Sequence, residues 1–470
     1  MAVSLPVRGP RSKLILVMMP HELHRKRFLQ RRDFLKLSAL ATGAALLPAE
    51  AEITAPKKHP VIPANDPVRQ RTWDAALATL SGNIDTVPSF DHPVLFEGSV
   101  YPGIWQECGP HEGLVYGTLS KYITQNEGSP TPLEIARNNH MAFFALQRPI
   151  GRESAGQIPA SIKMTEVGFG QIQMVVPIAA TAWELAQLTD DDELLVTAYK
   201  ACSRWDAWLR QYRDTRNTGL VEGFCAYDTG HDNSPRWAGI PNRCPDADAR
   251  KVPPIPSMPR LCPDLSATVY GARMALARMA TALGKGDEAS RWQEDAEKIR
   301  QLIITRLYCP EDAAFYDVDA QNKFVRVRSD VISRVLGEHV LKRNDPKDKA
   351  IFDAIWIRQL HNPKAFWAPY PFPSIALDDP TFVRPIPRNS WGGATQALTA
   401  LRAPRWMPYY GKQTELNHLM HQWCEAIMRH IEFRQQMDPL TGDFTQADPT
   451  GYSPAALVFL DFTRRLNQPA

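Results

Sequence analysis

The sequence lacks several features that would assign it to common functional classes. Its 470 residues contain no Cys-x-x-Cys pair, which disfavours a structural zinc site. There is no glycine-rich phosphate loop and no alternating β-α order, so a nucleotide-binding sheet is not expected. The 54 lysines and arginines nearly balance the 51 aspartates and glutamates, and no basic stripe indicates a nucleic-acid partner. We therefore predict neither a cofactor nor a metal ion.

Long hydrophobic runs are also missing. The early apolar run from Leu37 to Leu47 is too short to span a bilayer, so no stable membrane anchor is expected. It follows Arg31-Arg32-Asp33-Phe34-Leu35-Lys36 and precedes Ala49-Glu50-Ala51, the order of a twin-arginine signal and its small-x-small cleavage site. The sequence thus predicts that the twin-arginine export machinery is a partner and that the mature protein is periplasmic or secreted.

Cysteine is scarce, and seven cysteines leave at least one thiol unpaired. Cys244 and Cys262 flank a proline-rich insertion and are the best candidates for a disulfide in an oxidising compartment. The other five cysteines are expected to be buried thiols.

Helical periodicity dominates the rest of the chain. It predicts helices over 132–147, 177–188, 192–213, 265–283, 287–307, 329–341, 349–360, 391–401, 414–433 and 453–466. Short turns join most of them into serial αα-hairpins, and one β-hairpin is expected from 314–319 and 323–327. The hairpins show no fixed repeat length, so a closed toroid is favoured over an open solenoid.

The segment from Glu222 to Trp237 is the most informative part of the chain. It places three carboxylates, an arginine and an indole within a loop that follows a helical segment. A carboxylate held beside an aromatic face can bind and protonate a sugar. Asp232 is the predicted acid, and the alternative is a surface loop with scattered acidic residues.

The loop Asp228-Thr-Gly-His-Asp-Asn-Ser-Pro-Arg-Trp237 resembles the general-acid loop of glycoside hydrolase family 63 and its mannosylglycerate-hydrolase-like relatives. Further patches resemble this family in the same order along the chain: Tyr101-Pro-Gly-Ile-Trp105, Gly156-Gln-Ile-Pro159, Asn389-Ser-Trp391-Gly-Gly393, Asp438-Pro-Leu-Thr-Gly442 and Gly451-Tyr-Ser-Pro-Ala-Ala456. Together they extend the resemblance from about residue 95 to residue 466.

The resemblance implies an all-α, (α/α)6 toroid of helical hairpins with long substrate loops. Together with the twin-arginine pattern, it predicts three segments: a signal peptide (1–51), an N-terminal extension (52–94) and a glycosidase-like catalytic domain (95–470). The implied activity is inverting hydrolysis of an α-linked small saccharide or glycosylated small molecule, so the predicted partner is a carbohydrate substrate. Asp232 would be the general acid. Substrate contacts would come from Trp105, Glu107, Gln173, Asn233, Arg236, Trp237, Trp391 and Gln435.

Two positions depart from the family pattern. The family's general base is a glutamate, and Gln435 stands at that position here; an amide cannot accept a proton from water. The family's Trp-Asp pair is replaced by Trp105-Gln-Glu107. Asp438 and Asp443 are the preferred candidates for the second carboxyl, and the alternatives are Glu107, Glu112 and Glu432. Each of the two aspartates could instead belong to a turn.

The altered base position leaves two other functions open. A phosphorylase or transferase would need no base carboxylate if phosphate or another acceptor replaced water. A catalytically dead carbohydrate-binding protein would need neither carboxyl. Arg236 could also be a structural ion pair, and each tryptophan could be a core residue.

Overall fold

The computed structural model describes residues 66–123, 128–445, 447 and 449–467. The predicted twin-arginine signal lies outside these described residues, so it stays a prediction. All of the described residues belong to one compact unit. Among the described residues, no helix has the length and apolar character needed to cross a membrane.

Twelve α-helices lie within the described residues. In chain order they are α1 Pro67–Gly82, α2 Gly109–Thr118, α3 Pro132–Ala145, α4 Ile178–Thr189, α5 Asp192–Tyr212, α6 Pro263–Ala282, α7 Gly286–Leu307, α8 Val331–Gly337, α9 Pro346–Ile355, α10 Ala397–Arg402, α11 Gln413–His430 and α12 Ser453–Leu466. A π-helical turn, Trp356–Leu360, continues α9.

Burial separates the helices into an inner and an outer ring. Even-numbered helices bury most of their residues; α12, for example, is buried from Ser453 to Thr463. The longer odd-numbered helices bury one stripe, as α5 does with residues spaced three or four apart, such as Leu194, Ala198 and Cys202. Contacts join α2 to α4, α4 to α6, α6 to α8, α10 to α12 and α12 back to α2. The predicted (α/α)6 toroid is therefore confirmed.

Local sequence signals set the hairpins. Helix α3 begins with a capping box between Thr131 and Glu134 and with Pro132 in its first turn. Helix α4 ends at Asp190 in the left-handed conformation, and Asp191 caps α5 by accepting a hydrogen bond from the Leu194 amide. Two residues thus reverse the chain, as expected for one of the predicted short turns.

The predicted helix 391–401 is wrong in its first half. Residues 391–394 form a turn, and Thr395–Gln396 forms a short strand before α10 begins at Ala397. The adjacent glycines Gly392 and Gly393 weaken helix formation there. Helix α2 was missed for a related reason, because glycines and a proline between Gly109 and Gly117 look like a loop.

Short strands connect the helices near their ends. They are β1 Ile84–Val87, β2 Phe90–Leu95, β3 Gly103–Trp105, β4 Ser161–Lys163, β5 Val167–Gly168, β6 Glu222–Gly223, β7 Arg260–Leu261, β8 Tyr308–Cys309, β9 Ala314–Phe315, β10 Asp317–Val318, β11 Phe324–Val325, β12 Thr395–Gln396 and β13 Gln436–Met437. Strands β10 and β11 pair antiparallel, with Asp317 opposite Val325, which confirms the predicted β-hairpin.

The predicted Cys244–Cys262 disulfide is wrong. All seven cysteines are buried free thiols. The Cys244 sulfur lies 3.6 Å from that of Cys225, whereas the Cys262 sulfur contacts the Arg260 carbonyl at 3.5 Å. Pairing of β6 with β7 holds Cys262 at the start of α6. Cys244 instead packs against Phe224 and Cys225 in a separate cluster.

Candidate active site

Loops that precede the even-numbered helices surround a cavity of about 440 Å³. This volume is within the range of small-molecule sites, roughly 300–1,000 Å³. Six residues of the predicted site line it: Trp105, Glu107, Gln173, Asp232, Trp391 and Gln435. Because the loops before α2, α4, α6, α10 and α12 contribute these residues, the toroid brings together positions far apart in sequence.

Asp232 is half-buried in the wall of the cavity. Its Oδ2 accepts a hydrogen bond of 2.9 Å from Asn389 Nδ2, and its carbonyl accepts one of 3.0 Å from the Trp391 amide. Burial raises the pKa of Asp232 to about 6, against the smaller opposing effect of the Asn389 hydrogen bond. A carboxyl that keeps its proton into the neutral range can act as an acid.

A buried ion pair anchors the loop that carries Asp232. Asp228 pairs with Arg213, and neither side chain has any exposed surface. The Asp228 carboxylate also accepts hydrogen bonds from the amides of Phe224 at 2.7 Å and Ile172 at 2.9 Å. These bonds tie the acid loop to α5 and to the loop before α4, which fixes the direction in which Asp232 leaves the backbone.

Gly230 lets a second carboxyl approach the same loop. Its φ is +61°, in the left-handed region, and a Cβ at this position would lie 1.5 Å from Glu107 Oε2. Glu107 is buried, and this burial together with the charge of Asp232 raises the pKa of Glu107 to about 7. Glu107 therefore stands on the same wall of the cavity as Asp232.

Glu97 is a cavity residue that the sequence analysis missed. It is buried, lines the cavity and accepts a hydrogen bond of 2.7 Å from the Tyr452 hydroxyl. Burial, followed by the charges of Glu112 and Glu107, raises the pKa of Glu97 well above its usual range. The available signal was an acidic residue between an apolar strand and the Tyr101-Pro-Gly-Ile-Trp105 motif.

Gln435 occupies the cavity as the resemblance implied, and two hydrogen bonds orient its amide. Its Oε1 accepts a bond of 3.0 Å from the Tyr101 hydroxyl, and its Nε2 donates one of 2.9 Å to Asn389 Oδ1. Asn389 thus bridges Gln435 and Asp232. The amide can hold its neighbours in place but supplies no base.

Asp438 and Asp443, the preferred second carboxyls, do not line the cavity. Asp438 pairs with Arg384 at 3.1 Å and accepts a hydrogen bond from the Leu440 amide at 2.8 Å, as expected for an aspartate that starts a turn. The Asp443 side chain is 66% exposed and lies 3.8 Å from Arg429. The structure therefore corrects both assignments in favour of the turn alternative.

Arg236 and Trp237 also lie outside the cavity. The buried Arg236 guanidinium donates to Asp264 and Asp317 over distances of 2.6–2.7 Å. The Trp237 indole is buried and donates to the Thr229 hydroxyl at 2.9 Å. Both side chains support the acid loop from behind, so neither is the substrate contact that was predicted.

Asn233 is exposed and donates a hydrogen bond of 2.8 Å to the Asn389 carbonyl. It does not line the cavity, so its predicted substrate contact is corrected to a contact with the neighbouring loop. This bond helps to hold Asn389 against Asp232.

Aromatic and basic side chains complete the cavity. Trp105 packs edge-on against Tyr101, with ring centroids 5.6 Å apart, and the Trp391 ring packs against His231 at 5.0 Å. Arg148, Lys163 and Arg243 also line the cavity. The site therefore offers flat apolar surfaces for a sugar ring, carboxyls and cationic groups.

Comparisons with known proteins agree with the toroidal fold. Residues 140–453 match the model of the mannosylglycerate hydrolase MGH1-like glycoside hydrolase domain. The GH63 mannosylglycerate hydrolase from Thermus thermophilus has a similar structure, with a TM-score of 0.62 and 16% identity over 84% of this chain and 100% of that chain. A neutral trehalase from Saccharomyces cerevisiae gives 0.57 and 13% over 83% and 81%. A bacterial glucoamylase complexed with acarbose gives 0.53 and 11% over 86% and 56%.

Proposed function

Because the chain belongs to the mannosylglycerate hydrolase MGH1-like glycoside hydrolase family, we propose that it hydrolyses the glycosidic bond of a small glycoside with inversion. The observation that supports this activity is Asp232, a carboxyl with a pKa raised to about 6, in a cavity with Trp105 and Trp391. In this proposal Asp232 protonates the leaving oxygen while a water attacks the anomeric carbon.

The cationic groups favour a substrate with an acidic aglycone. Arg148 and Arg243 are exposed residues of the cavity lining, and Lys163 pairs with Glu166 at 2.5 Å. The Arg148 guanidinium lies 4.1 Å from the centre of the Phe169 ring, which limits its movement. A glycoside of a small hydroxy acid would place its neutral ring among the tryptophans and its carboxylate near these cations.

Activity is tested on the purified protein with a panel of glycosylglycerates and α-linked disaccharides. We expect hydrolysis of at least one glycoside, and we expect Asp232→Asn to lower kcat by about 100-fold or more because the acid is lost. Asp287→Asn, an exposed aspartate in the first turn of α7, is the matched control and should leave kcat unchanged. An inactive wild type, or an Asp232→Asn variant with wild-type kcat, would contradict the proposal.

Assays with and without inorganic phosphate distinguish hydrolysis from phosphorolysis. If activity appeared only with added inorganic phosphate, the product would be a sugar phosphate and the protein would be a phosphorylase. This assay is needed because the neutral Gln435 amide stands in the cavity where a hydrolase would have a base carboxylate.

We also propose that the protein acts outside the cytoplasm. The supporting pattern is Arg31-Arg32 followed by an apolar run and Ala49-Glu50-Ala51. Export should stop when Arg31→Lys and Arg32→Lys are combined, as measured by cell fractionation. Equal periplasmic recovery of this variant and the wild type would argue against twin-arginine export.

A further inference from the structure

An inverting hydrolase needs a second carboxyl on the far side of the scissile bond from its acid, with room for a water between them. Gln435 cannot serve, because an amide takes no proton from water. Resting on the proposed glycosidase activity, we propose that Glu97 is the catalytic base of this protein and replaces the glutamate expected at position 435.

Two neighbouring tyrosines connect Glu97 to Gln435. The Tyr452 hydroxyl donates to Glu97 Oε1 at 2.7 Å, and the Tyr101 hydroxyl donates to Gln435 Oε1 at 3.0 Å. The rings of Tyr101 and Tyr452 are 6.1 Å apart. Both Glu97 and Gln435 line the cavity. Glu97 therefore presents a carboxyl next to the place where the amide stands.

Gln435 in turn marks the wall that faces the acid. Between Asp232 and Gln435 there is one side chain, Asn389, which forms a hydrogen bond of 2.9 Å with each. Asp232 and Gln435 therefore lie on either side of the Asn389 amide, and all three residues line the same cavity. Glu97 completes this arrangement from the side of Gln435.

The other buried carboxyls are less suitable. Glu107 Oε2 packs against Gly230, two residues before Asp232, so it stands on the wall of the acid and not across from it. Glu112 has no exposed surface and does not line the cavity. Of the carboxyls near Gln435, Glu97 is the one that both reaches the cavity and is held there.

Backbone contacts keep the Glu97 carboxyl in place. The Glu97 amide donates to the Gly103 carbonyl at 3.0 Å, and its carbonyl accepts from the Ser453 amide at 2.8 Å. The segment therefore bridges the entry to β3 and the first turn of α12. A base that is already positioned needs little reorganisation when the water attacks.

In the proposed step, Glu97 acts in its ionised form, which burial disfavours and the Tyr452 hydrogen bond favours. It removes a proton from the water as the water oxygen bonds to the anomeric carbon. The bond between the anomeric carbon and the leaving oxygen breaks, and that oxygen takes the proton of Asp232. The products are the free sugar with inverted configuration and the alcohol. Glu97 ends protonated and Asp232 ionised, and proton exchange with solvent restores both.

The test combines Glu97→Gln with Gln435→Glu. Glu97→Gln alone should lower kcat by about 100-fold or more with little change in KM, since the base acts on the attacking water. Adding Gln435→Glu should restore a substantial part of kcat, because it returns a carboxyl to the neighbouring position. Glu107→Gln is the matched comparison, and its loss of kcat should not be recovered by Gln435→Glu.

A second variant tests the proposal even if the Glu97→Gln protein does not fold. Tyr452→Phe removes the hydrogen bond that favours ionised Glu97, so the acid limb of the kcat/KM profile should move to higher pH. A purely structural role would leave this limb in place. Tyr452→Phe keeps the other titratable groups whose charges interact with Glu97, which are Glu112, Glu107, Asp232 and Cys108.

The outcomes separate this inference from the proposed function. Wild-type activity that is lost in Asp232→Asn but retained in Glu97→Gln would overturn the role of Glu97 alone. Loss in Glu97→Gln without recovery in the double variant, together with an unmoved acid limb in Tyr452→Phe, would do the same. An inactive wild type would overturn both proposals.

Discussion

Asn389 donates a hydrogen bond of 2.9 Å to the carboxyl of Asp232, although 157 residues separate the two positions in the chain. The same amide accepts a hydrogen bond from Gln435. The neutral Asn389 side chain thus contacts both Asp232, the predicted acid, and Gln435, where the family pattern has a glutamate. Its hydrogen bond favours the ionised form of Asp232.

Removing this bond should shift the pH profile in a defined direction. Asp232 must be protonated to act as an acid, so activity falls as pH rises through its pKa, which is about 6. Asn389→Ala removes a bond to the ionised form and should raise this pKa by about one unit, because a hydrogen bond to a charged group contributes about 1.5 kcal/mol. The alkaline limb of kcat/KM should move up by the same amount; an unchanged limb or a downward shift would contradict the assignment.

Gly230 should tolerate no side chain. Gly230→Ala would place a Cβ against the Glu107 carboxylate and a non-glycine residue at a φ of +61°. We expect a loss of about 3 kcal/mol in the free energy of unfolding, measured in urea, together with reduced activity. Gly239→Ala is the control, since its φ is +75° but nothing lies within 4 Å of its Cβ; it should cost only about 1 kcal/mol.

Arg236 should matter for stability and not for substrate binding. Arg236→Met would leave the buried Asp317 carboxylate without the Arg236 guanidinium and Asp264 with Arg334 at 3.5 Å, which should cost about 3–5 kcal/mol of unfolding free energy. Lys251→Met is the surface control, because its pair with Asp246 is largely exposed and contributes about 1 kcal/mol or less. A raised KM in folded Arg236→Met, with unchanged stability, would support the earlier substrate-contact assignment instead.

Arg148 should discriminate between charged and neutral substrates. Arg148→Ala is expected to raise KM for a glycosylglycerate about tenfold, the loss of one charge-assisted contact of about 1.4 kcal/mol. KM for a neutral α-linked disaccharide should stay within about twofold. Steady-state kinetics gives KM for each substrate. Equal effects on both KM values would show that Arg148 does not recognise the carboxylate of the glycosylglycerate.

Sequence periodicity was sufficient for most of the helices because helix formation depends on neighbours three and four residues apart. The boundaries of α12 agree with the predicted 453–466, and α4 and α5 meet at a short turn, as predicted. Prediction was less accurate where glycines interrupt the pattern, as at Gly392 and Gly393. The loop that carries Asp232 was also singled out from sequence, since its residues are contiguous and resemble a known motif, and the structure places Asp232 in the cavity wall; its role as an acid stays a prediction.

The sequence by itself determined the family, the serial hairpins and the position of Asp232, because each depends on residues close together in the chain. Only the tertiary structure decided which side chains face the cavity. It places Asp438 and Asp443 in turns outside the cavity. It also brings the Glu97 carboxyl within hydrogen-bonding distance of the Tyr452 hydroxyl, 355 residues away in the chain. Closure of the helical ring sets such directions, and contacts across hundreds of residues leave no mark on local periodicity.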